Sequence, residues 1–159
     1  CAVHGHCLGG GLCYPAGADI SIAVKGTLFG APEAKLSVVG GSGHLARILP
    51  PQIQRDMSYC GTFMTAEELH DRFGGVTMVV DTLEELMPAA EKMAETIAKN
   101  APIAVKYAKA CIDRGMQMDI DDGIAVENEL FAMCFATADQ KEGMSAFLEK
   151  RKEKHFQNK

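Results

Sequence analysis

Three consecutive glycines constrain this chain more than any other feature. They lie in Val3-His4-Gly5-His6-Cys7-Leu8-Gly9-Gly10-Gly11-Leu12-Cys13. An apolar entry runs into a compact loop, then the glycines, then a run of small and apolar residues, the pattern of a strand that turns sharply into a helix. Without Cβ atoms the backbone at such a turn can come close to a ligand. The first N–H groups of the following helix have no carbonyl one turn back and sit at the positive end of its dipole. That environment suits an oxygen that gains negative charge during a reaction.

The remaining chain reads as short strands followed by helices. Ile20-Ser21-Ile22-Ala23-Val24 alternates and is β-branched, so it predicts a strand. Leu28 to Glu33 is a short extended piece, with Pro32 keeping Ala31 out of the helical region. A second glycine loop, Gly40-Gly41-Ser42-Gly43, precedes a helix over His44–Leu49 that Pro50-Pro51 interrupts. Gln52 to Tyr59 is expected to be helical. Thr65-Ala66-Glu67-Glu68 has the form of a capping box and opens a helix that ends at Gly74-Gly75. Val76 to Val80 reads as a strand. Helices are then expected from Asp81 or Thr82 to Lys99, from Pro102 to Arg114, from Asp119 or Asp121, and from Thr137 to the basic run Lys150-Arg151-Lys152. No internal repeat is visible. The division expected is 1–80 for strands and turns and 81–159 for helices.

The chain has 159 residues and a net charge of −5, with 47% apolar and 23% charged residues. This is the balance of a globular domain, and it argues against nucleic acid as the main partner. No apolar run is long enough to span a bilayer and no basic leader precedes an apolar stretch, so neither a membrane partner nor a signal peptide is expected. A cytoplasmic or organelle-matrix location fits this. The six cysteines form no CxxC pair, and free thiols are expected. His4, His6 and Cys7 lie close together but match no zinc spacing, so no metal site is assigned. Because the chain begins at Cys1 rather than Met, either something has been removed or it is expected to be a piece of a longer protein.

Two chemistries compete for the opening loop. Gly5-His6-Cys7-Leu8-Gly9 fits G-x-C-x-G, the cysteine form of the nucleophile elbow, with Cys7 as nucleophile and His155 as the histidine nearest the C-terminus. The other pattern takes in the rest of the chain. Val3-x-Gly5-x-Cys7-Leu8-Gly9-Gly10-Gly11, Ala18-Asp19-Ile20, Phe29-Gly30-x-Pro32-Glu33-x-Lys35-Leu36 and the second glycine loop resemble the enoyl-CoA hydratase/isomerase (crotonase) family. Gly61-Thr62-Phe63-Met64-Thr65-Ala66-Glu67-Glu68, Gly75-Val76-x-x-Val79-Val80 and the segment from Phe135 to Arg151 continue the likeness in order. By that comparison the chain corresponds to the later part of the family domain.

The resemblance implies a mixed α/β fold: a spiral of ββα units with a helical C-terminal region that drives formation of trimers or hexamers. It implies an acyl-CoA thioester as substrate, with no separate cofactor. The thioester oxygen would meet two backbone N–H groups, one matching Gly10 and the other in a segment preceding Cys1. Of the family's two acids, the second matches Glu33, whereas the first position is Cys13. A single acid suffices for double-bond isomerisation, so hydratase and isomerase both stay open. Lys150 and Arg151 fall where the family tail nears the coenzyme A phosphates; a solvated helix end is the plainer account. Gly40 stands where the family has proline and His44 where it has glycine, and His44 either reaches the acyl pocket or caps its helix. Cys13 and the absent first part leave a non-catalytic or truncated crotonase-fold subunit as the alternative.

Overall fold

The computed structural model describes residues 1–159 and divides into two compact units, Cys1–Met93 and Ala94–Lys159, which part within one helix. In the first unit a strand pair recurs. β1 (Ala2–Val3) leads through Gly5 to β2 (His6–Leu8), and β3 (Ile22–Val24) leads through Gly26 to β4 (Leu28–Gly30). Gly5 and Gly26 have φ of +71° and +76°, the left-handed region that lets the chain switch from one sheet to the other. β1 pairs in parallel with β3, and β3 with β6 (Met78–Val80). β2 pairs in parallel with β4, and β4 runs antiparallel to β5 (Phe63–Thr65). The result is two three-stranded sheets, ordered β1-β3-β6 and β2-β4-β5.

This repetition of strand, glycine switch and strand is structural, and the sequence reading found no repeat because side chains at matching positions differ. Two short strands also stand where that reading saw one apolar entry and a loop. The core of this unit lies among the sheets and short helices, with Leu12, Phe29, Leu45, Met57 and Leu69 almost fully enclosed.

Short helices join the strands. A 3-10 turn at Gly9–Leu12 runs into α1 (Cys13–Gly17). A second 3-10 turn, Pro32–Leu36, follows β4. α2 (Ser42–Leu45) is shorter than expected, and α3 (Pro51–Cys60) starts on the second proline, whose missing N–H no helix needs at that position. The Thr65 capping box is present: the Glu68 N–H donates to Thr65 Oγ1, and the Thr65 N–H to Glu68 Oε2. It opens α4 (Ala66–Glu68), which widens into one π turn before Gly74 ends it in the left-handed region.

α5 (Leu83–Ala98) links the units. In the second unit α6 (Pro102–Gly115) packs on α7 (Ile120–Phe135), and α8 (Ala138–Leu148) follows. Asp119 caps α7 and Thr137 caps α8 through side-chain oxygens. α8 ends at Leu148, short of the expected basic run, and Lys150 turns back with φ +56°. No helix is long and apolar enough to cross a membrane.

Candidate active site

Parallel pairing of β2 and β4 builds the site. Leu8 lies beside Gly30, so the chain leaves both strands at the same level. One exit is the Gly9–Leu12 turn and the other is the Pro32–Leu36 turn that carries Glu33. Gly9 takes φ +54°, and a Cβ there would stand 2.6 Å from Glu33 Oε1. The second glycine loop closes over the same carboxyl. A Cβ on Gly40 would lie 3.5 Å from Glu33 Oε1, and one on Gly41 only 3.0 Å from the Gly9 carbonyl oxygen. The missing side chain of Gly9 therefore makes room for the carboxyl group, and that of Gly41 lets the second loop approach the Gly9 backbone.

Glu33 Oε2 is buried and has no hydrogen-bond partner. A buried carboxyl oxygen without a donor is costly unless something donates to it, such as water or a ligand. Beside it, Gly9 and Gly10 open a 3-10 turn, so their N–H groups lack intrahelical acceptors. Gly10 is exposed, and a Cβ added there would touch nothing within 4 Å. An unmet carboxyl and unmet N–H groups thus share one end of β2 and β4. A proton acceptor beside the first N–H groups of a helical turn is an arrangement able to move a proton next to a group that gains negative charge.

Cys13 is the first residue of α1, with a half-buried free thiol. Cys7 does not stand on an elbow. It lies in the middle of β2, paired with Phe29, and its buried thiol donates to the Gly11 carbonyl at 3.4 Å. Burial pushes that thiol's pKa upward, the wrong direction for a nucleophile. His155, the one histidine near the C-terminus, lies in the C-terminal tail, where its backbone N–H donates to Glu142. Cys7 is therefore not the nucleophile of an elbow, as the G-x-C-x-G pattern would have it.

His44 caps nothing. It lies inside α2, whose N-cap position is Gly41 at φ +70°, and its side chain is exposed. In the second unit, Arg151 forms a two-pronged pair with Glu142 (3.0 and 3.1 Å) and bonds Glu149 through Nε at 2.6 Å. Lys150 beside it is exposed. Among His, Cys, Asp and Glu side chains, no group of three is placed to hold a metal ion.

The enoyl-CoA hydratase/isomerase family model matches residues 1–159. The chain belongs to the enoyl-CoA hydratase/isomerase family. It is 42% identical to a short-chain-enoyl-CoA hydratase of Clostridium acetobutylicum over 99% of its own length and 61% of that protein's. It is also 42% identical to a crotonyl-CoA hydratase of Syntrophomonas wolfei, over 95% and 58% of the two chains. Among solved structures, an enoyl-CoA hydratase from Mycobacterium tuberculosis superposes with a TM-score of 0.91 at 30% identity, over 99% of this chain and 63% of that one. One from Geobacillus kaustophilus gives 0.90 at 34% identity, over 99% and 62%.

The fold is thus the mixed α/β crotonase fold, and the chain spans about three-fifths of the length of these relatives. The sequence singled out Gly10 and Glu33 but not Gly9, which admits the carboxyl, or Gly41, which lets the second loop approach the Gly9 carbonyl. The available signal was the glycine runs themselves; which glycine faces Glu33 depends on the β2–β4 register.

Proposed function

We propose that this chain carries the acid/base half of an acyl-CoA site. In this proposal the Gly10 N–H steadies the oxygen of a thioester enolate, and Glu33 moves the proton. One observation carries it: Glu33 Oε2 is buried and unpartnered, beside a turn with N–H groups to spare. The names of the relatives support a short-chain 2-enoyl-CoA as substrate and hydration as the reaction. Coenzyme A enters as part of the substrate, and no separate cofactor is assigned.

Hydration puts the water oxygen on C3 and a proton on C2. Glu33 can take the proton from water and deliver a proton to C2, so one carboxyl balances the step. The second carboxyl that would share the water is replaced by Cys13, a neutral thiol and a weak hydrogen-bonding group. That substitution favours a second reaction, isomerisation of a 3-enoyl-CoA. There Glu33 removes a proton from C2, the charge delocalises onto the thioester oxygen, and the proton returns at C4, leaving the double bond at C2–C3.

Turnover of 2-enoyl- and 3-enoyl-CoA by the full-length protein separates the two. We expect Cys13→Glu to raise hydration relative to isomerisation. Hydration that is fast in the parent protein and falls in Cys13→Glu would contradict the view that the thiol replaces a working acid.

The second unit bears Ile112, Ile120, Phe131, Phe147 and Leu148 as exposed side chains, and Ala146 is its one fully buried apolar residue. Helices this apolar outside call for a cover. We read these exposed side chains as contacts within a trimer or hexamer of like chains.

A further inference from the structure

One helix grips both segments that enclose Glu33. Gln54, in the first half of α3, is half-buried, and its Nε2 donates to the Ser42 carbonyl at 2.7 Å, in the second glycine loop. Seven residues on, at the C-cap of α3, the Gly61 carbonyl accepts from Lys35 Nζ at 3.0 Å. Lys35 is two residues from Glu33 in the Pro32–Leu36 turn. A positive charge is also favoured at a helix C-terminus.

The fit at Gly61 is close. Its φ is +63°, and a Cβ there would stand 3.0 Å from Lys35 Nζ. Lys35 Nζ also lies 5.9 Å from the centre of the Phe63 ring. That ring lies across Gly30, where no side chain would fit beside it. The glutamate turn is therefore held at both ends, by Phe63 on Gly30 and by Lys35 on Gly61. Glu33 Oε2 has no hydrogen bond that would fix it in place. Its carboxyl is placed by the backbone segments that Lys35 and Gln54 secure.

We propose that Lys35 and Gln54 are positioning residues for Glu33, acting through the turn and the glycine loop rather than by touching substrate. This rests on the acid/base role of Glu33 proposed above. The experiment compares Lys35→Met, Lys35→Arg, Gln54→Leu and Glu33→Gln in the full-length protein. It measures kcat and KM with a short-chain enoyl-CoA, and amide exchange across residues 33–41. Lys35→Met and Gln54→Leu should each lower kcat about tenfold to a hundredfold, as expected for a misplaced reacting group, with KM little changed. Exchange across residues 33–41 should quicken. Lys35→Arg keeps a donor of similar reach and should recover most of the lost kcat.

Unchanged exchange in both clamp variants overturns the clamps, whatever the turnover shows. Faster exchange with unchanged kcat, or an arginine no better than methionine, overturns the positioning role. Full turnover in Glu33→Gln overturns the acid/base reading separately, while the exchange data still judge the clamps.

Discussion

At the scale of single residues, the site depends on atoms that are missing. Gly9 is in the left-handed region, and any side chain there would run into Glu33 Oε1. Gly9→Ala should therefore destabilise the fold by about 1–3 kcal/mol from backbone strain alone. It should also displace the carboxyl, so turnover should fall by more than the loss of folded protein explains; chemical denaturation alongside kinetics checks both. Much of this was legible in the sequence. The F-G-x-P-E motif marked Glu33, and the glycine run marked Gly10. Which glycine meets the carboxyl was not legible, because that follows from Leu8 lying beside Gly30 across the sheet, and no local pattern sets that register. Cys7 misled for a similar reason: a pentapeptide cannot show that its cysteine lies mid-strand with a buried thiol.

Among the elements, the capped helices were the most legible. Thr65 and Thr137 cap as their spacing predicts, and of the two candidates Asp119 and Asp121 it is Asp119 that caps, since a cap needs only its own next few residues. The C-terminal end was less so. α8 stops at Leu148, and the tail folds back on it. The nearly buried Asp139 carboxylate accepts the Gln157 and Asn158 N–H groups at 2.6 and 2.8 Å, and Glu142 accepts from Arg151 and from the His155 N–H. The Arg151 hydrogen bonds, then the His155 N–H, lower the Glu142 pKa from 4.5 to about 2. A carboxylate whose pKa is depressed on folding stabilises fully above its unfolded value and loses that contribution as pH falls through the folded one. Protection of the residue 151–158 amides, measured as exchange relative to the intrinsic rate at each pH, should therefore be full above about pH 4.5 and fall towards pH 2. Glu142→Gln should give fast exchange at pH 6 and flatten that dependence; a parent-like profile in the variant would contradict this account. The same contacts engage Arg151 within its own unit, which leaves the exposed Lys150 as the cation of the pair that faces solvent.

For the whole molecule, the sequence pointed to strands first and helices after, and the structure has that order. The ββα repetition was expected only through the family resemblance, because it is carried by two glycine switches, at Gly5 and Gly26, rather than by repeated side chains. The helical periodicity of the second half was clear, but it did not tell inside from outside. Met116, Met133 and Met144 are apolar yet all exposed in the isolated chain. That exposure is the basis for expecting self-association. Sedimentation of the full-length protein should give a multiple of three chains, and charged replacements at Ile120 and Phe131 should lower that number. A monodisperse monomer at micromolar concentration would contradict it.

The central claim is that Glu33 moves the proton, and the most direct measurement is kcat of Glu33→Gln in the full-length protein with 2-enoyl- and 3-enoyl-CoA. Glutamine keeps the size of the side chain and removes its proton chemistry. The account predicts a loss on the order of a hundredfold to ten-thousandfold on whichever substrate the parent turns over, with folding intact. A variant that turns over at the parent rate would contradict it.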